Sequence, residues 1–198
     1  MIFVRKPVKY YYHYPTVVAI VVTKFEDRVN LMSVAWHTQI SFDPPLYGIL
    51  ISPKRFTHKL LKKSKEFTLN FLEYEDYEIA AFVGRSSGRD VDKVSAFDIE
   101  LSEGRLVNVP IISRAYAAYE CETVDIRDYG DHTLFVGRIL GVHYREDAFE
   151  NNSPNVNTLL YLGSDTYTTV DTQERVKYGK EEVERFLKEW FNEDEQHS

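Results

Sequence analysis

A single cysteine, Cys121, occurs in the 198 residues. One thiol cannot form an internal disulfide or a CxxC…CxxC zinc cluster, so the chain is neither a disulfide scaffold nor a cysteine zinc module. In a strand context Cys121 reads as a small buried hydrophobe. Long apolar runs are also missing. Val17–Val22 is too short to span a membrane, and charged residues follow it without a small-residue cleavage site. Positive charge is scarce: 24 Lys and Arg stand against 31 Asp and Glu, a net charge of -7. A general nucleic-acid binder needs a broad basic surface, which that balance does not supply. No GxGxxG or HExxH pattern occurs, so a Rossmann nicotinamide domain and a zincin are unsupported. His37, His58, His132 and His143 read as polar or capping residues rather than metal ligands. The expectation is a cytoplasmic protein with no metal, membrane or nucleic-acid partner.

What the chain does have is rings. Fourteen Tyr and 12 Phe against 9 Gly point to a strand-rich fold, because aromatic side chains pack well on pleated, half-buried surfaces. The length suits one sizeable core, so residues 1–198 are expected to form a single domain, with a helical extension over 171–198. Thr16–Lys24 is continuous and β-branched, the signature of a strand buried on both faces. Further strands are expected from Val29, over Leu46–Ser52 and over Glu66–Leu72, with a long hairpin made by Ala115–Ile126 and His132–Tyr144 around Tyr129-Gly130-Asp131. Glu75–Val83 reads as a short helix stopped by Gly84, and Lys93–Phe97 as one helical turn. Between them, Arg85–Asp92 is a polar loop with paired cations, either a lid or a plain connection. Lys180–Asn192 sets Val183, Phe186, Leu187, Trp190 and Phe191 at helical spacing, which predicts an amphipathic closing helix.

The most informative stretch runs from Asn30 to Lys65. Asn30, Ser33, Thr38, Gln39 and Ser41 supply donors and acceptors along a segment that also carries Val34, Ala35, Trp36 and Ile40, so it can lay a flat, partly polar ring against a sheet edge. Pro44 and Pro45 then turn the chain sharply. After the apolar strand, Ser52-Pro53-Lys54-Arg55-Phe56-Thr57 opens a helix that runs to about Ser64, with Thr57 as the expected N-cap. From Pro44 to Lys65 there are Lys54, Arg55, Lys59, Lys62, Lys63 and Lys65 and no acid. Such a run is either a solvated basic face or a phosphate site. The helix start, the hydroxyl of Thr57 and the polar strand upstream favour the phosphate.

The pattern Asn30-x-x-Ser33-x-Ala35-Trp36-x-Thr38-x-x-Ser41-x-x-Pro44-Pro45, followed by Arg55-x-Thr57 and Phe67-x-x-Asn70, resembles the flavin reductase-like, FMN-binding split-barrel family, above all its flavoredoxin-type members. Ser87-Gly88-Arg89-Asp90-x-Asp92-Lys93, Glu120-Cys121, Gly130-Asp131-His132 with Gly137, and Leu160-Tyr161-x-Gly163 with Tyr167 extend the resemblance over roughly residues 14–170. It implies a mainly β fold: an antiparallel Greek-key split barrel with short peripheral helices and the C-terminal amphipathic helix. It implies FMN as cofactor, NAD(P)H as electron donor, a homodimer, and electron delivery to a flavin, a metal ion or a redox partner protein. Under it, the cofactor-binding residues are Asn30, Ser33, Ala35, Trp36, His37, Thr38, Gln39, Ser41, Ser52, Lys54, Arg55, Thr57 and Lys93. His132 is either the group that orients the nicotinamide or a plain turn residue. An FMN-binding electron carrier without its own NAD(P)H site is the alternative function, and a ligand-binding barrel without redox work is a third.

Overall fold

The computed structural model describes residues 1–8, 11–176 and 179–185. Seven antiparallel strands form its main sheet: β1 (Ala19–Phe25), β2 (Arg28–Val34), β3 (His37–Phe42), β4 (Pro45–Ile51), β5 (Glu66–Phe71), β6 (Ala117–Tyr129) and β7 (His132–Tyr144), in the spatial order β2-β1-β5-β6-β7-β4-β3. The outermost strands, β2 and β3, are consecutive in the chain and separated only by Ala35 and Trp36. A sheet whose two edges are tied by two residues must curl until those edges meet at that end. Among the described residues no ladder pairs β2 with β3 beyond the tie. The result is a barrel split along one side, the mainly β, antiparallel architecture expected from the sequence.

Strand β1 lies between β2 and β5, and its burial explains its composition. Ala19 and Val21 face an inner cluster with Phe67, Leu69 and Phe135, while Ile20 and Val22 face an outer one with Leu31, Val83 and Ile112. Each such valine or isoleucine contributes about 1.5–3 kcal/mol on burial, so residues 19–22 are apolar on both faces. Helix α1 (Phe56–Ser64) bridges β4 and β5, sends Leu61 into the inner cluster, and is tied to β1 by Thr23 Oγ1 and Ser64 Oγ at 3.1 Å. Helix α2 (Tyr77–Arg85) covers the outer cluster with Ala80 and Val83, and α3 (Lys93–Ala96) follows after a loop. A smaller three-stranded sheet joins Thr16–Val17 to Leu160–Gly163 and Thr166–Thr168. No helix among the described residues is long and apolar enough to cross a membrane.

Two local expectations are corrected. Arg55, not Thr57, is the N-cap residue of α1, and it makes no side-chain cap. The turn closed by Arg55 N and Ser52 O, 2.9 Å apart, starts the helix two residues early and puts Thr57 inside its first turn. Gly84 does not stop α2, which continues to Arg85. Its missing Cβ serves a different purpose: one built there would lie 3.4 Å from Ser33 Cβ, so the helix can pack closely on β2. Finally, residues 180–185 are helical, but the rest of the helix expected over Lys180–Asn192 lies outside the described residues.

Candidate functional site

The site lies where the two edge strands part. At the end of β2 the chain turns through Ala35 and Trp36, and Leu50 N donates to Trp36 O at 2.9 Å, which fixes the turn against β4. The Trp36 indole is held from two sides: its Nε1 donates to Tyr14 Oη at 3.1 Å, and its ring lies 4.5 Å, centroid to centroid, from the imidazole of His132 at the start of β7. His132 Nδ1 and Asp131 Oδ1 are 2.8 Å apart, and this contact with His132 lowers the pKa of Asp131. Donation from Nδ1 leaves Nε2 as the free ring nitrogen. Beneath these rings opens a trough of about 500 Å³ walled by Ser33, Ala35, Trp36, Ser52, Arg55 and His132.

One end of the trough narrows into a pocket of about 100 Å³ at the N-terminus of α1. No acid sits in the helix's first turn, and its leading amides carry no side-chain cap, so unpaired N–H groups and the positive end of the helix dipole face this space. Thr57 is 2% exposed and its hydroxyl accepts from Asn30 Nδ2 at 2.8 Å. With that lone pair engaged, the hydroxyl proton is available to an acceptor in the pocket. Lys93 comes from α3 and is 4% exposed; its Nζ donates to Leu31 O at 2.7 Å and to Val83 O at 2.6 Å. An ammonium has three protons, so one remains. Burial, and then the nearby charge of Arg55, pull the Lys93 pKa down to about 8. Asn30 Oδ1 is a buried acceptor with no donor among the described residues. Donors, cations and one orphan acceptor together are the chemistry that takes a phosphomonoester carrying a neighbouring hydroxyl.

On the other side of Ser33–Ala35 lies a recess of about 200 Å³ with walls that include Tyr161 and Tyr167, and the ion pair between Arg85 and Asp165 stands at it. Arg55 and Gly84 border the trough, the pocket and the recess, which makes the three one connected groove.

The structure therefore gathers Asn30, Ser33, Ala35, Trp36, Ser52, Lys54, Arg55, Thr57, Lys93 and His132 around the groove. Four expected residues are not among its walls. Successive side chains of an extended segment point to opposite sides, so while Trp36 covers the trough, His37 turns toward the barrel: its Nδ1 lies 2.8 Å from Tyr47 Oη and its Nε2 2.9 Å from Val17 O. Burial keeps the pKa of this imidazole low. Thr38, Gln39 and Ser41 belong to edge strand β3 and pair with β4, past the turn at Ala35 and Trp36. Sequence reasoning also missed Tyr14, Met32, Gly84 and Gly88. Only Gly88 carried a signal, its place in a Ser-Ser-Gly-Arg loop. The other two interior-facing histidines have structural partners: His58 Nε2 meets Thr133 Oγ1 at 2.9 Å, and His143 Nε2 meets Glu120 Oε1 at 2.5 Å.

Comparison with known proteins agrees with this geometry. The family described as "Flavin reductase like domain" matches residues 11–170. An uncharacterized protein of Pyrococcus abyssi is 40% identical over 158 residues, 79% of this chain and 91% of its own length. Among solved structures, an FMN-binding protein from Thermus thermophilus, crystallised with bound 1-cyclohex-2-enone, is 37% identical with a TM-score of 0.82, covering 89% of this chain and 99% of its own. A flavoredoxin from Methanosarcina acetivorans shares the fold at 23% identity, with a TM-score of 0.79 over 91% of this chain and 95% of its own.

Proposed function

Because this chain belongs to the flavin reductase-like family, we propose that it is an oxidoreductase that holds FMN in the groove and passes electrons from NAD(P)H, through that flavin, to a second flavin, a metal ion or a redox partner protein. The observation that carries the reading is the phosphate-sized pocket at the start of α1, continuous with a ring-sized trough under Trp36 and His132. The residues fit the cofactor. The pocket offers donors to a terminal phosphate, and the orphan Asn30 Oδ1 matches a hydroxyl of a polyol chain. Bound FMN supplies the hydride and one-electron chemistry.

The protein's own part is binding, orientation and access. Amides of the first turn of α1, Thr57 Oγ1, Arg55 and Lys93 bind the phosphate. Ser33, Ala35 and Ser52 line the trough, and Trp36, fastened to Tyr14, closes one end of it to water. His132, whose Nδ1 is engaged by Asp131, presents Nε2 as a hydrogen-bonding group for the carboxamide of a nicotinamide. A cytoplasmic setting goes with this reading, since a pyridine nucleotide is the donor. A homodimer does too. Leu140, Val142 and Tyr144 are exposed on one face of β7, and Ile40 and Phe42 on β3 are exposed as well, an apolar surface that suits a second copy. Sedimentation at micromolar concentration is expected to give the dimer mass.

The contact between Trp36 and His132 also favours a second reading. Each ring covers part of the other, so a nicotinamide has less room to reach His132. A flavoredoxin-like electron carrier, reduced by a partner protein, needs no such access. Anaerobic titration of the yellow protein with NADH and NADPH separates the two: stoichiometric bleaching supports the oxidoreductase, and no bleaching supports the carrier.

A further inference from the structure

The phosphate pocket has a second wall, contributed from far along the chain, and that wall is fastened shut. Residues 84–92, the last residues of α2 and the loop that leads to α3, cross the N-terminal turn of α1. Arg28 on β2 donates from its guanidinium to Gly88 O. Arg89 Nη2 donates to Lys54 O at 3.2 Å. The guanidinium carbons of Arg28 and Arg89 lie 4.7 and 5.7 Å from the centroid of the Phe56 ring, so one aromatic ring meets both cations. Gly88 is buried against Asn30. A Cβ built there would fall 1.9 Å from Asn30 Oδ1 and 3.0 Å from Phe56 Cδ1. Only glycine lets the segment come down this far.

We propose that segment 84–92 is a clasp which admits the terminal monophosphate of a flavin and closes behind it, so that FMN is a resident group of this protein and the dinucleotide FAD is excluded. The proposal rests on the flavin reading above. At about 100 Å³ the pocket is about a fifth the size of the trough, and it suits one phosphate better than a pyrophosphate carrying adenosine. Met32, Lys54, Arg55 and Gly84 border both pocket and trough, so the pocket opens toward the ring site, while its far end is closed by Gly88, Phe56 and Arg89. The charge agrees with the size. Lys54, Arg55, Arg89 and Lys93 all line the pocket and suit the near-double negative charge of a phosphomonoester. The phosphates of a pyrophosphate diester carry only one charge each. A flavin used as a diffusible substrate must enter and leave in every turnover, whereas a phosphate seated here is backed by a wall that Arg28, Arg89 and Phe56 fasten in place.

The test is a fluorescence titration of the full-length apoprotein with FMN, FAD and riboflavin at fixed salt, together with the rate of FMN release on trapping by a second apoflavoprotein. The wild type is expected to bind FMN at least about a hundredfold more tightly than FAD and to keep FMN through gel filtration. Arg28→Ala combined with Arg89→Ala is expected to bring FAD to within about tenfold of FMN and to speed FMN release at least about tenfold, with riboflavin affinity unchanged. Gly88→Ala, which keeps every cation, is expected to speed FMN release alone. Where circular dichroism shows that the double variant does not fold, Arg89→Ala takes its place, since that side chain is exposed. Equal affinity of the wild type for FMN and FAD overturns the clasp, as does an unchanged release rate in folded Arg89→Ala and Gly88→Ala. Failure of the folded wild type to bind any of the three flavins overturns the flavin reading itself, and the clasp with it.

Discussion

Lys93 gives the site a pH dependence with a definite sign. Its ammonium is 4% exposed, makes two hydrogen bonds to backbone carbonyls, and sits near Arg55, so burial and then that like charge depress its pKa to about 8. A phosphate dianion favours the charged form and pulls the pKa back up in the complex. Phosphate affinity that depends on the ammonium is therefore fully present below pH 8 and is lost as pH rises above it. With a free-state pKa near 8 the group is about 90% charged at pH 7 and about 10% at pH 9, so FMN binding should weaken about tenfold across that interval, roughly 1.4 kcal/mol. The phosphate's own second ionisation lies near pH 6 and contributes little above pH 7. The assay is apoprotein titrated with FMN at half-unit steps from pH 7 to 9.5, with riboflavin as the control that lacks the phosphate. Riboflavin should give a flat profile, and so should FMN with Lys93→Met, at a weaker absolute affinity. A flat FMN profile for the wild type, or an equal slope for riboflavin, refutes the claim that Lys93 meets the phosphate.

Other outcomes follow from the same geometry. Arg55→Ala should weaken FMN about ten- to a hundredfold, the equivalent of one charge-assisted hydrogen bond of about 1.5–3 kcal/mol, and leave riboflavin affinity nearly unchanged; equal weakening of both ligands would place Arg55 at the ring. His132→Ala should keep FMN bound and slow its reduction by NAD(P)H in stopped flow, whereas an unchanged rate makes His132 a turn residue only. Glu120 is fully buried. Burial alone would raise its pKa, but His143 and the amides of Arg105, Leu106 and Val107 hold it down to about 2. Its contribution to stability, on the order of 3 kcal/mol, is present above the ordinary carboxylate pKa and lost as pH falls from about 4.5 toward 2. Glu120→Gln should lower the urea midpoint at pH 7 and flatten the acid-unfolding profile over that window.

How far the sequence spoke depended on the range of the signal. Helix α1 and its cations were legible because they are contiguous and contrast with an acidic chain, and β1 was legible because burial on two faces leaves no polar residue in its first half. The clasp was not: Gly88 meets Asn30 across 58 residues of chain, and nothing local to a Ser-Ser-Gly-Arg loop says which helix start it will cover. His37 was misread although the alternation of an extended segment separates it from Trp36. The error came from treating residues 30–41 as one strand, when the turn at Ala35 and Trp36 carries the chain from one edge of the sheet to the other.

That turn also has a consequence for the order in which the molecule comes together. The hairpins β1–β2 and β3–β4 are local and adjacent in sequence, yet they end on opposite edges of the sheet, with β5, β6 and β7 inserted between them. Both can form early, but they become one barrel only after strands up to about a hundred residues away have docked, so closure carries the loop entropy and should be the slow event. Asn30, Thr57, Gly88 and Lys93 converge only once that has happened. On the proposed site a flavin phosphate recognises the finished barrel alone, and by mass action it would draw late, half-closed chains toward it.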